Sequence, residues 1–123
     1  MKNPKVLLVD DDEQTIKFFM EQLQNEMEFD MVIAGNTKTA IEYGHEVDIA
    51  IIAMSPSSFF HPDSVRLEGV DIIRALRAEQ PDVTVIAVGS GEEQKAKAAG
   101  ADFFVNNIYD SWKLKAIIKG INS

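Results

Sequence analysis

The feature that most constrains the fold of this chain is a strict alternation of short apolar runs with longer segments of helical period. The runs are four to seven residues long and rich in Val, Ile and Phe, and several are apolar at consecutive positions. Consecutive apolar residues are typical of parallel strands that are buried on both faces. The predicted strands are Lys5 to Asp10, Met31 to Ala34, Val47 to Ala53, Val83 to Gly89 and Asp102 to Val105.

The segments between the runs place apolar residues at the spacing of an α-helix. The clearest case is the stripe of Ile16, Phe19, Met20 and Leu23, and the same spacing recurs from Leu114 to Ile121. The predicted helices are about Glu13 to Asn25, Thr37 to Tyr43, Gly69 to Gln80, Glu92 to Ala99 and Ser111 to Ser123. Strands that alternate with helices predict a three-layer α/β sandwich of the (βα)5 type with a parallel sheet, because each crossover is right-handed and helices must cover both faces.

Length and composition narrow the class of protein further. The 123 residues predict one domain over 1–123, and a net charge of -8 argues against nucleic acid and anionic membranes as partners of this domain. The chain has no Cys, which excludes disulfides and thiolate metal sites. It shows no signal-peptide core and no apolar stretch of membrane-spanning length, so we expect a cytoplasmic protein.

The residues that follow the strands are the candidates for function, because ligands of open parallel sheets bind beyond the carboxyl ends of the strands. The first strand ends in Asp10-Asp11-Asp12-Glu13. Four consecutive acids repel one another unless a cation, helix N-terminal amides or solvent relieve them. We interpret Asp12 and Glu13 as capping and charge-matching the first helix, which leaves Asp10 and Asp11 as the functional candidates.

At this point the chain resembles the receiver domains of two-component response regulators. Lys5 to Asp11 looks like the first strand of that family with its metal-binding acid pair, Val47 to Ile52 like its third strand, and Glu68 to Ile73 like the opening of its third helix. Gly100 to Val105 resembles the approach to its fifth strand. The resemblance covers nearly the whole chain and implies a flavodoxin-like fold with strand order 2-1-3-4-5 and a role in phosphorelay signal transduction.

The family's catalytic positions are altered here. The resemblance places the phosphoacceptor Asp at Ala53, the switch hydroxyl at Gly89 and the phosphoryl-binding Lys at Asn107. Asp48 cannot replace the acceptor, because five residues of strand separate it from Ala53 by roughly 16 Å. Phe104 stands at the family's aromatic switch position.

These changes predict a degenerate receiver, or pseudo-receiver, that is not an enzyme and signals through protein-protein interaction. Phosphoryl transfer to a carboxylate needs an oxygen nucleophile, a divalent ion and a positioned donor, and the sequence lacks the first and third. We expect no cofactor, and at most weak Mg²⁺ binding by Asp10 and Asp11, because one carboxylate is missing.

Two other readings compete with the pseudo-receiver. Asp10 and Asp12 look somewhat like the nucleophile and acid/base pair of haloacid-dehalogenase-like phosphatases, although Gln14 stands where that pattern wants Thr or Val. A flavodoxin-like cofactor module is the other, but the turn after the first strand is acidic and has no glycine-rich phosphate loop.

Two segments are candidates for partner binding. Ser111 to Ser123 carries Lys113, Lys115 and Lys119 without an acid, and Trp112, Lys115 and Lys119 share the face opposite its apolar stripe. Either this face is a docking site, or Trp112 covers the helix start and the lysines are solvated. In the family, the face formed by the fourth helix, fifth strand and fifth helix docks partners and dimers, so a signalling partner, a fused output domain and a homodimer are all expected alternatives.

The second segment is the stretch from Met54 to Glu68, which has no helical period and contains Phe59 and Phe60. Such long irregular segments in a compact domain are usually functional or disordered. Three roles are open for the two Phe residues: they fold down over the vacant pocket, present an apolar surface to a partner, or pack under the loop.

Overall fold

The structure, a computed structural model, describes residues 5–10, 13–24, 30–35, 37–54, 69–89, 93–106 and 111–122. Strands and helices alternate along the chain as the sequence predicts. The elements are β1 (Lys5–Val9), α1 (Glu13–Gln24), β2 (Asp30–Ala34), α2 (Thr37–Gly44), β3 (Ile49–Ala53), α3 (Gly69–Glu79), β4 (Thr84–Val88), α4 (Glu93–Ala99), β5 (Phe103–Val105) and α5 (Ser111–Asn122). The predicted boundaries are correct to within two residues at every described strand and helix end.

All strand pairs are parallel, and the sheet has the order β2-β1-β3-β4-β5. This order confirms the topology that the resemblance implied. β1, β3 and β4 lie inside the sheet and are almost fully buried, which confirms the prediction made from their consecutive apolar residues. β2 and β5 are the edges, and Ile33 and Phe103 are partly exposed there.

The core is divided by the sheet into two layers. On one face Val6, Leu8, Ile51 and their neighbours pack with Phe19 of α1 and with Leu114 and Ile118 of α5. On the other face alternate strand residues pack with apolar residues of α2, α3 and α4. The helical stripes read from the sequence therefore face the sheet, and the three-layer architecture is confirmed; the side chains of Leu23 and Ile121 lie outside the described part.

The fourth helix ends at a glycine, as helices often do. Gly100 has a φ of 119°. Its N–H donates to the carbonyl of Lys97 at 3.1 Å, and the N–H of Ala101 donates to the carbonyl of Ala96 at 3.0 Å. These two bonds form a Schellman cap, which turns the chain directly into β5. None of the described helices is long and apolar enough to cross a membrane.

Candidate functional site

The carboxyl ends of the strands meet at one edge of the sheet, where the sequence placed the candidate site. Val9 is the register partner of Ile52, and Ala53 is the register partner of Val88. Asp10 directly follows Val9, and Ala53 directly follows Ile52. Asp10 and Ala53 therefore lie side by side on neighbouring strands. Parallel strands are about 4.8 Å apart, so a side chain at Ala53 would adjoin Asp10.

Backbone hydrogen bonds extend the ladder past the last strand residues and fix this edge. The N–H of Asp10 donates to Ala34, that of Met54 to Val88 and that of Gly89 to Val105, at 2.8 to 3.1 Å. Asp10 is the one acid among the described residues that end or directly follow the five strands. It is also buried, with 3% of its surface exposed.

The start of α3 lies against the end of β3. A Cβ at Gly69 would be 2.7 Å from the carbonyl oxygen of Ala53 and 2.9 Å from the Cα of Met54. Real Cβ atoms do not approach backbone so closely, which explains why glycine opens this helix. The sequence singled out Glu68 to Ile73 by resemblance only, and this contact supplies the physical reason for Gly69.

Asp48 lies at the opposite edge of the sheet, as the strand length predicted. Its carboxylate accepts a hydrogen bond of 3.0 Å from the backbone N–H of Lys5, and its own N–H donates to the carbonyl of Lys5 at 2.8 Å. Asp48 thus fastens the amino ends of β1 and β3, and its carboxylate is remote from Ala53.

The Mg²⁺ site implied by the resemblance is incomplete in the described residues. They contain no group of three or more His, Asp or Glu side chains that could hold a metal ion. Asp10 has a methyl group beside it at Ala53, where a metal site would need an oxygen donor. Asp11 lies outside the described residues, as do Asp12 and Asn107.

Of the other residues predicted to function as a switch or in partner binding, four lie in the described part of the chain and two lie outside it. Phe104 is buried in the core layer that contains α2, α3 and α4. Trp112 is 69% exposed, so most of its side chain faces solvent. Lys119 is exposed and Lys115 is partly buried at the border of the same face. Phe59 and Phe60 lie outside the described residues.

A cluster of hydrogen bonds around Arg77 is not indicated by any motif in the sequence. Its guanidinium donates to the carbonyls of Pro81 and Val83 at 2.8 Å, to that of Gly100 at 2.8 and 3.2 Å, and to Asp102 Oδ2 at 2.7 Å. These partners belong to two different connections, α3 to β4 and α4 to β5, and no local sequence pattern around Arg77 indicates them. We call this cluster the Arg77 clamp.

Comparison with solved structures identifies the fold. The chain is similar to the BeF3-activated receiver domain of DrrB, with a TM-score of 0.75 and 22% identity over 95% of each chain. The chain has the receiver-domain fold. It is also similar to a CheY-like response regulator receiver domain protein from Methanospirillum hungatei JF-1, with a TM-score of 0.74 and 19% identity over 98% of this chain and 95% of that one.

A third receiver domain, that of the Francisella response regulator 1452, matches with a TM-score of 0.74 and 21% identity over 98% of this chain and the whole of the other. No protein-family model and no curated protein matches the sequence. These receiver structures lend no support to the phosphatase or flavin-binding alternatives. The three structures establish the receiver fold of this chain.

Proposed function

We propose that this chain is a receiver-type signalling domain that acts through protein-protein contact and does not accept a phosphoryl group. The observation that carries the proposal is Ala53, which ends β3 beside the buried Asp10. In the receiver domains that the sequence resembles, the phosphoacceptor Asp occupies this position. A methyl group has no electron pair with which to attack phosphorus.

Two further positions support the same conclusion. Gly89 follows β4 and carries no hydroxyl to contact an incoming phosphoryl group, and the sequence has Asn107 where the resemblance expects Lys. A receiver pocket with three acids and one Lys has a formal charge of -2, and the pair Asp10 and Asp11 without the Lys has the same charge. Loss of Asp and Lys together therefore preserves the electrostatic balance of the fold while the chemistry is lost.

Without a phosphorylation switch, signalling depends on a surface that is permanently presented. Receiver domains work with partner proteins or output domains, and the face formed by α4, β5 and α5 is the expected docking face here. Phe104 of β5 is buried and Trp112 of α5 is exposed. A homodimer through this face and a fused output domain are the alternative arrangements.

Intact-mass spectrometry after incubation with acetyl phosphate and Mg²⁺ tests the proposal, and we expect an unchanged mass. The matched variant is Ala53→Asp, which restores the carboxylate beside Asp10. If the variant is phosphorylated and the natural chain is not, the absence of the carboxylate at position 53 is alone sufficient to explain why the natural chain does not accept a phosphoryl group. Phosphorylation of the natural chain would refute the proposal, and the acceptor, for which Ser55 is the first candidate, would then be mapped by fragmentation.

A phosphatase assay on the same samples tests the enzymatic alternative. We expect no turnover of a phosphate ester. Activity that disappears in Asp10→Asn would contradict the proposal and revive the phosphatase reading.

A further inference from the structure

The outer face of α5 combines an exposed aromatic side chain with positive charge. We define this face as Trp112, Lys115, Ala116, Lys119 and Gly120. Leu114 and Ile118 on the inner side are fully buried, so the helix is held firmly and its outer face has a fixed orientation. Trp112 is 69% exposed, whereas the other large exposed apolar residues of the described chain, such as Phe103 at 38%, are far less so. Exposed Trp is the residue type most enriched among binding hot spots.

The outer face is a track along the helix and not an isolated side chain. Trp112, Ala116 and Gly120 follow one another at intervals of four residues and so lie roughly in line, with Lys115 and Lys119 alongside. Ala116 and Gly120 are exposed. The small side chains leave room next to Trp112 for the backbone of a partner.

Intramolecular packing does not explain the glycine in this track. A Cβ at Gly120 would meet no described atom beyond the backbone of its own helix within 4 Å, and glycine is less favourable than alanine in a helix by about 1 kcal/mol. The fold would therefore tolerate or prefer alanine at this position.

The charge of the helix selects the kind of partner. Ser111 to Ser123 carries three Lys and no acid, whereas the rest of the chain has nine Lys and Arg against twenty acids. An acidic partner is attracted to α5 and repelled by the rest of the surface. A two-fold dimer centred on α5 would place these lysines against the same lysines of the second copy, which is unfavourable.

We propose that the outer face of α5 binds an acidic segment of a partner protein, with an apolar residue of that segment packed on Trp112. The inference names the partner class of the proposed function and rests on that function only in requiring a protein partner. Trp112 supplies the apolar contact area, Lys115 and Lys119 select for carboxylates, and Ala116 and Gly120 admit the partner's backbone.

Trp112 is the only Trp of the chain, so its fluorescence reports directly on this face. The probe is a synthetic peptide of repeated Glu-Glu-Leu-Glu units, and the control peptide has Lys in place of Glu. We expect a saturable blue shift of the emission with the acidic peptide only, and weakening as salt is raised. Amide NMR should place the shifted resonances on α5.

Charge-reversal variants distinguish binding by the lysines of α5 from an effect of the net charge of the whole domain. Lys115→Glu combined with Lys119→Glu should weaken peptide binding by about tenfold or more. Lys17→Glu combined with Lys38→Glu changes the net charge equally at exposed positions of α1 and α2, and we expect it to retain most of the affinity. Circular dichroism checks that both variants are folded.

Three outcomes overturn the inference: no saturable shift up to about 1 mM peptide at low salt, equal weakening in both double variants, or a concentration-dependent dimer whose Trp112 emission is shifted without peptide. The last would assign the face to a second copy of the chain. The phosphorylation assay has a separate readout, so a mass increase there refutes the proposed function while peptide binding still decides the role of α5.

Discussion

At Gly69, where α3 begins beside the end of β3, the neighbouring backbone leaves no room for a side chain. The backbone of Ala53 and Met54 occupies the space where its Cβ would lie. Backbone atoms cannot rotate away as a flexible side chain can, so a larger residue must displace α3 from β3. The stability of the fold and the geometry of the candidate site are therefore linked at this position.

We predict that Gly69→Ala lowers the free energy of unfolding by about 1 to 3 kcal/mol, as overpacking does in other cores. Urea denaturation, monitored by circular dichroism, measures the change. Gly120→Ala is the matched control, because the same added methyl group would contact none of the described residues there. It should leave stability unchanged or raise it by up to about 1 kcal/mol. Equal stability of Gly69→Ala and the natural chain would show that α3 moves freely relative to β3.

The Arg77 clamp joins elements that are distant in sequence. Arg77 lies in the last turn of α3, and its guanidinium contacts the connections that lead into β4 and from α4 into β5. Asp102 completes the clamp, because its carboxylate accepts hydrogen bonds from both Arg77 and the backbone N–H of Val85, the latter at 2.8 Å. The amino ends of β4 and β5 are thus held by side chains as well as by the ladder.

Arg77→Ala should destabilise the fold by roughly 2 kcal/mol, because hydrogen bonds of a charged donor to several carbonyls are lost together. Arg77→Lys should retain only a small part of the stability that Arg77→Ala loses, since a single ammonium group cannot reach acceptors in several directions. Arg74→Ala, an exposed arginine of the same helix, should change stability by less than about 0.5 kcal/mol. The urea midpoints of the three variants test this order, and a full recovery by Lys would argue against the directional role of the guanidinium.

Local pattern predicts the elements well but not the contacts between them. The apolar runs identified all five strands, because burial on both faces requires continuous hydrophobicity. The predicted β3 begins at Val47, whereas the observed strand begins at Ile49. Asp48, just before the strand, accepts a side-chain hydrogen bond from the N–H of Lys5, which no local sequence pattern indicates. The Arg77 clamp and the contact at Gly69 were invisible to sequence reasoning for the same reason: their partners are brought together only by the topology.

At the scale of the whole molecule, the uneven charge is the dominant electrostatic property. The net charge is -8, and the excess of acids lies outside α5. Three ion pairs of the described residues lie on the surface, with side chains between 27% and 68% exposed: Lys5–Glu46, Arg77–Asp102 and Lys97–Glu93. Exposed pairs contribute little to stability, about 0 to 1 kcal/mol each, so repulsion among the surplus acids should outweigh them.

Salt should therefore stabilise the fold. Screening weakens repulsion over the long distances between surplus acids more than it weakens short ion pairs, because the Debye length falls from about 30 Å at 0.01 M to about 10 Å at 0.1 M. We predict that the free energy of unfolding in urea rises by about 1 kcal/mol between these NaCl concentrations at neutral pH. Two exposed positions of α2 provide matched variants: Glu42→Lys should reduce the salt response, and Lys38→Glu should increase it. A fall in stability with salt, or an identical response of the two variants, would mean that local ion pairs and not the net charge govern the electrostatics of this domain.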